Sequence, residues 1–237
     1  MDFPETVFIT GADRGLGFAL VNDFAGRGLR VFAGSRRIGE PLQRLAAQSG
    51  GRIEIVRQDV ADAASVRASA AEVAARTPHL DIVINNAAIC PHETLRTIDE
   101  LDFSDGHLES LMTVNAFGPL RVAQAFLPLL ERGRRRRLVN ITSEAGSIAD
   151  SGRDGWFGYC MSKAALNMQS NILRRALQPR GILVLAIHPG WVKTDMGGEG
   201  AQVDAEDSAR AIVELTFREW AADAPVYMDT DGNALRW

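Results

Sequence analysis

Short apolar runs alternate with helix-forming stretches along almost the whole chain, and that alternation limits the fold more than any other feature. Val7-Phe8-Ile9 reads as a first strand, with a helix expected over about 17–27. Residues 30–34 and 53–56 read as the second and third strands, and the Ala-rich stretch over about 63–76 is helical by propensity. A fourth strand is expected at 81–84, a long helix between 108 and 130, and a fifth strand at 138–141. Residues 159–177 read as a helix closed by Pro179 and Gly181, followed by a sixth strand at 182–187 and a seventh at 226–228. Strands that alternate with helices pair in parallel and carry helices on both faces. Strands that are apolar nearly throughout fit a sheet buried on both sides. The expected fold class is therefore α/β, a doubly wound parallel sheet of about seven strands with helices on both faces. No repeat, linker or low-complexity tract divides the 237 residues, so 1–237 reads as a single domain. The Gly-rich, acidic stretch at about 195–208, with a helix starting near Asp204, suits a lid over a site.

A hydrophobic fraction of 46% supplies a sizeable core, and a net charge of −4 gives no reason to expect a nucleic-acid partner. Arg134 to Arg137 form a local run before a strand and read as a solvated turn, with a polyanion contact as the alternative. Cys90 and Cys160 have no CxxC or zinc-like spacing and read as free thiols in a reducing compartment. The start, Met1-Asp2-Phe3-Pro4-Glu5, lacks the basic and apolar regions of a signal peptide, and no apolar run is long enough to span a bilayer. A cytoplasmic location without membrane contact is expected.

Directly after the first strand comes Thr10-Gly11-Ala12-Asp13-Arg14-Gly15-Leu16-Gly17. Glycines there permit a tight strand-to-helix turn and a close approach of a pyrophosphate to the backbone, and the following helix offers free N–H groups and its positive dipole end. A simple turn requirement is the competing explanation for these glycines. The second strand ends at Gly34-Ser35-Arg36-Arg37. An NAD site usually places an acidic residue at that point to bind the ribose 2′-hydroxyl. A hydroxyl and two guanidiniums stand there instead and suit a 2′-phosphate, with Arg14 as a further cation in reach. The pattern favours NADP(H) over NAD; a solvated basic turn is the alternative.

Tyr159 and Lys163 lie four apart on an expected helix and share one of its faces. A phenol with a reference pKa of about 10 is a poor proton shuttle at neutral pH. A neighbouring ammonium stabilises phenolate, so the pair can protonate a carbonyl oxygen while hydride arrives at carbon. Ser143 lies just past the fifth strand, where open α/β sheets bind ligands, and its hydroxyl can orient a substrate oxygen. A turn or cap role is the alternative for Ser143.

The ordered set Thr10-Gly11-x3-Gly15-x-Gly17, Asp59-Val60, Asn85-Asn86-Ala87-Ala88, Asn115, Ser143, Tyr159-x3-Lys163 and Pro189-Gly190 resembles the short-chain dehydrogenases/reductases, a Rossmann-like family. The stretches 146–150 and 188–198, with Asp229-Thr230-Asp231-Gly232 and Trp237, look closest to the C-factor/sniffer-like branch of carbonyl reductases. The resemblance implies Tyr159 as general acid, Lys163 lowering its pKa and holding the nicotinamide ribose, and Ser143 steadying the carbonyl. It implies Asn115 beside a proton-relay water. Cofactor contacts are implied for Thr10, Gly11, Asp13, Arg14, Gly15, Leu16 and Gly17, and for Ser35, Arg36 and Arg37. Asp59 and Val60 would meet the adenine, Asn86, Ala87 and Ala88 the adenosine ribose, and Pro189, Gly190, Val192 and Thr194 the nicotinamide. Two features depart from the family pattern. Ala88 stands where Gly is usual, and Ser143 precedes Tyr159 by sixteen residues, with Thr142 and Ser147 as fallbacks.

The candidate pocket wall comprises 89–92, 144–158 and 191–200, and includes Cys90, Glu144, Trp156, Phe157 and Trp191. An apolar, partly aromatic wall suits a small hydrophobic aldehyde or ketone; the same aromatics also suit packing of a lid onto the body. Cys90-x-His92 offers two metal ligands without a third, so no metal is expected. His188 reads as structural, and Cys160 as core filler pointing off the Tyr159 face. The reading is an NADPH-dependent carbonyl reductase. The alternatives are an NADP-binding signalling protein with little turnover and an NAD-dependent alcohol dehydrogenase. A homodimer or homotetramer is expected by analogy with the family.

Overall fold

The computed structural model describes residues 5–91, 96–221 and 223–237. Its strands are β1 (Thr6–Thr10), β2 (Arg30–Ser35), β3 (Ile53–Arg57), β4 (Ile82–Asn85), β5 (Arg137–Ile141), β6 (Leu183–Ile187) and β7 (Tyr227–Met228). They form a sheet in the order β3-β2-β1-β4-β5-β6-β7 with every neighbouring pair parallel. The order reverses between β1 and β4. The carboxyl ends of these two strands therefore open a crevice, because the connections leave them toward opposite sides of the sheet.

The strands are apolar at successive positions because both faces are covered. Val7, Ile9, Val31 and Ile84 pack on one face against α1 (Gly15–Gly26), α2 (Glu40–Gln48) and α7 (Ala205–Phe217). Phe8, Phe32, Val83 and Val184 pack on the other, against α3 (Ala63–Arg76), α5 (Gly118–Leu130) and the end of α6 (Phe157–Leu177). Phe8 stacks on Phe126 of α5 with ring centroids 4.1 Å apart. No helix of the described residues is long and apolar enough to cross a membrane.

The long helix expected between 108 and 130 is interrupted. It runs as α4 (His107–Met112), a π-helical turn at Thr113–Phe117 that holds Asn115, and then α5. Pro119, in the first turn of α5, has no N–H to return to the carbonyl of Asn115 four residues earlier, and such a gap favours a local change of helical pitch.

The Arg run lies at the amino ends of the strands, away from the crevice. The buried Asp81 carboxylate accepts from the amides of Thr6 at 2.8 Å and Arg134 at 2.7 Å and fixes the turn before β5. Arg135 pairs with Glu5 at 3.0 Å and Arg137 with Glu219 at 3.6 Å, so this run is in part internally neutralised.

Candidate active site

The crevice begins at the turn from β1 to α1. Gly11 has φ +66° and lies against Ala87, where a Cβ would come within 2.8 Å of the Ala87 Cα. A Cβ on Gly17 would collide with the Gly11 carbonyl oxygen and approach Asn86 Nδ2 to 2.5 Å. These two glycines thus let the turn, the start of α1 and the end of β4 close on one another. Thr10 Oγ1 accepts from the amides of Asn86 and Ala87, both at 3.0 Å, and Asn86 Nδ2 donates to the Thr10 carbonyl at 2.9 Å. The N-terminus of α1 has no side-chain cap and no acidic residue in its first turn. Its opening N–H groups are thus left to a ligand, and the positive dipole end is uncompensated.

The edges of this turn are lined by charge. Arg14 pairs with Asp195 at 2.9 Å across the crevice, and Gly15 lies against the Thr194 side chain. Arg36, just past β2, stands 3.9 Å from Asp59. The buried Ser35 hydroxyl is turned inward and lies 2.9 Å from Asp13 Oδ1. Val60 is buried beneath Gly118, and Leu16 packs against the core.

Beyond the carboxyl end of β5, Ser143 caps a short 3-10 turn, its Oγ accepting from the Ala145 amide at 3.1 Å. Thr142 is buried and donates to Asn167 Oδ1 at 2.6 Å, while Ser147 accepts from the Asp150 amide at 3.1 Å. Of these three hydroxyls, that of Ser143 is the one near enough to draw the Tyr159 phenol's pKa down. Tyr159 stands on the first turn of α6, with Lys163 one turn on and its Nζ 5.7 Å from the phenol ring centroid. Lys163 is 2% exposed and donates to the Ile141 carbonyl at 3.0 Å. Burial presses its pKa down to about 8. Burial also raises the Tyr159 phenol well above its ordinary value, while the hydrogen bond from Ser143 pulls it down.

Asn115 spends its amide on bracing. It donates to the Ile89 carbonyl at 2.9 Å and to Ser162 Oγ at 3.1 Å, and accepts from the Ile89 amide at 2.8 Å. It thereby fixes the segment after β4 to α6. Cys90, next in that segment, lies close to both Tyr159 and Lys163.

On these geometric grounds the comparisons are specific. The family model for short chain dehydrogenases matches residues 5–204. The chain is a short-chain dehydrogenase/reductase. It is 37% identical to the C-signal protein of Myxococcus xanthus over 161 residues, 68% of this chain and 95% of that one. The NADPH-bound carbonyl reductase from chicken fatty liver superposes with a TM-score of 0.89 at 32% identity, each chain covered in full. The carbonyl reductase Sniffer of D. melanogaster gives 0.87 at 28%, again with full coverage of both chains. Members of this family are oxidoreductases acting between CH–OH and C=O groups with a nicotinamide cofactor.

In this short-chain dehydrogenase/reductase the crevice gathers the motif residues from seven separate segments. Pro189 to Thr194 is held across it by Ser208 Oγ donating to the Pro189 carbonyl at 2.7 Å and by a parallel bridge between Val192 and Val203. Trp156 precedes α6 with φ +64° and meets the Tyr159 ring edge-on at 6.2 Å. Phe157 opens α6, and Ala88 is half-buried beside the brace from Asn115. Trp191 donates through its indole N–H to the Gly197 carbonyl at 2.8 Å and lays its ring against Gly200, so it also holds the 197–200 turn together. His92 lies outside the described residues.

The sequence reading passed over three contacts at the site. Arg153 makes a two-pronged pair with Glu144 at 2.5 and 3.1 Å and lies over the Trp156 ring at 5.2 Å. Ser162 receives the Asn115 amide. Tyr227 donates to the Ser143 carbonyl. No motif marks any of them. Only the scarcity of tyrosine, two in the chain, singles out Tyr227.

Proposed function

We propose that this chain reduces the carbonyl group of small hydrophobic aldehydes or ketones with NADPH, using Tyr159 as the proton donor. The observation that carries this reading is the meeting of Ser143, Tyr159 and Lys163 beyond β5, beside an uncapped helix N-terminus at the switch point of the sheet. The bound nicotinamide would supply hydride to the carbonyl carbon. The site's own groups handle the oxygen. Ser143 Oγ and the Tyr159 hydroxyl would both donate to it, and as the C=O π pair moves onto oxygen, Tyr159 passes its proton there. Burial keeps the phenol protonated until that charge develops. The Lys163 ammonium then stabilises the phenolate left behind.

Reprotonation needs a path to water. The Asn115 amide is engaged, so a relay water would sit against its main-chain carbonyl, which Pro119 deprives of its ordinary helical donor. Glu144, Trp156, Phe157 and Trp191 would border the substrate with Cys90, and the Trp156 ring against Tyr159 supports an apolar substrate. Arg36 and Arg14 would take the 2′-phosphate, Arg14 leaving the exposed Asp195 and Arg36 the half-buried Asp59.

The test is NADPH oxidation by the purified protein with a panel of apolar aldehydes, ketones and quinones. NADPH-dependent turnover is expected, with NADH at least about tenfold poorer in kcat/KM. Tight NADPH binding without turnover on any of them would overturn the reaction and favour a cofactor-binding signalling role. Arg36→Asp is expected to shift the NADPH-to-NADH ratio of kcat/KM toward NADH by about 10- to 100-fold, the worth of one charge-assisted contact. An unchanged ratio removes Arg36 from phosphate binding.

A further inference from the structure

We infer that Tyr227 is a positioning residue for proton transfer: through the backbone of Ser143 it fixes where the Ser143 hydroxyl points. The inference rests on the proposed roles of Ser143 and Tyr159. Tyr227 lies on β7, the short outer strand, and is 1% exposed. Its hydroxyl crosses to the turn after β5 and donates to the Ser143 carbonyl at 2.8 Å. A buried phenol with a committed partner of this kind holds a backbone in one orientation.

The same turn is also held by α6. Thr142 donates to Asn167, and Gly146 lies so close to α6 that a Cβ would come within 2.7 Å of both the Lys163 carbonyl carbon and Asn167 Nδ2. Tyr227 completes the grip, on Ser143 itself. Tyr227 is in turn seated by the segment that follows it. The chain bends back through a bridge between Met228 and Ala234, and the Trp237 ring lies 5.3 Å from the Tyr227 ring. The Trp237 carbonyl accepts from the Ala149 amide at 2.8 Å, and Arg236 pairs with Asp150. Segment 234–237 therefore closes over the loop that follows Ser143 and holds Tyr227 beneath it. The Ser143 hydroxyl pulls the Tyr159 phenol down, so its orientation bears directly on that proton.

Tyr227→Phe keeps the ring against Trp237 and removes only the hydroxyl. It is expected to lower kcat for carbonyl reduction about fivefold while the Kd for NADPH stays within about twofold. In alcohol oxidation, where Tyr159 must be ionised, the pH profile is expected to move to higher pH, because a misaligned Ser143 no longer favours phenolate. In a Ser143→Ala background the same substitution is expected to cost less than about twofold. An equal fold-loss in both backgrounds, or weaker NADPH binding at unchanged kcat, overturns the inference. If the wild type turns over no carbonyl, the proposed reaction fails and this inference is read separately, by backbone hydrogen exchange over 143–147. Faster exchange there in Tyr227→Phe supports the grip on Ser143, and unchanged exchange overturns it.

Discussion

Tyr159→Phe is expected to cut carbonyl reduction by about 10³-fold or more while leaving the Kd for NADPH within about threefold. The substitution keeps the ring that meets Trp156 edge-on at 6.2 Å, so the first turn of α6 retains its packing. What is lost is the phenolic hydroxyl alone. The two neighbouring groups are poorly suited to replace it. Ser143 Oγ is an aliphatic hydroxyl, a far weaker acid than a phenol, and the Lys163 ammonium is committed to the Ile141 carbonyl. Steady-state turnover together with NADPH fluorescence titration separates the two quantities. Turnover within about tenfold of the wild type would place the proton donor elsewhere.

Much of the fold that builds this site was legible in the sequence. Strand positions followed from apolar runs, because a sheet covered on both faces leaves no alternation to blur them. The Ala-rich stretch became α3 at its expected bounds, Ala63–Arg76, and the helix expected near Asp204 begins at Ala205. Helix α2 was not read because it is short: Leu42, Leu45 and Ala46 stand at helical spacing, but nine residues are fewer than the window over which such a period is distinguished. The break at Thr113–Phe117 was hidden for the opposite reason: apolar residues continue at helical spacing straight through it. Charges were read singly. Arg14 and Arg36 were legible as cations, but their partners Asp195 and Asp59 come from other segments, and only the fold brings them together. The grip of Tyr227 on Ser143 spans 84 residues and has no local pattern at all.

Lys163→Met should separate activity from stability more sharply than any other substitution at the site. Lys163 is 2% exposed, and no carboxylate among the described residues forms an ion pair with it. Burial alone drives its pKa from 10.5 to about 8. Keeping it charged at neutral pH costs the fold roughly 3 kcal/mol, at about 1.4 kcal/mol for each tenfold change in proton affinity. Methionine fills a similar volume without the charge, and forfeits the hydrogen bond to Ile141, worth about 1 kcal/mol. The variant is therefore expected to be more stable by about 2 kcal/mol, seen as a raised Tm at neutral pH. The folded pKa lies below the unfolded one, so the penalty acts in full below about pH 8 and is relieved as pH rises toward 10.5. The gain in Tm should accordingly shrink across that interval. Turnover is expected to fall by about 10²- to 10³-fold, because the cation beside the Tyr159 ring is lost and only the Ser143 hydroxyl still favours phenolate. A variant that is both slower and less stable would mean that the ammonium holds the fold together, and its role toward Tyr159 would lose its main support. A variant that is slower yet more stable would mean that the fold tolerates an unfavourable buried charge for the sake of the proton transfer beside it.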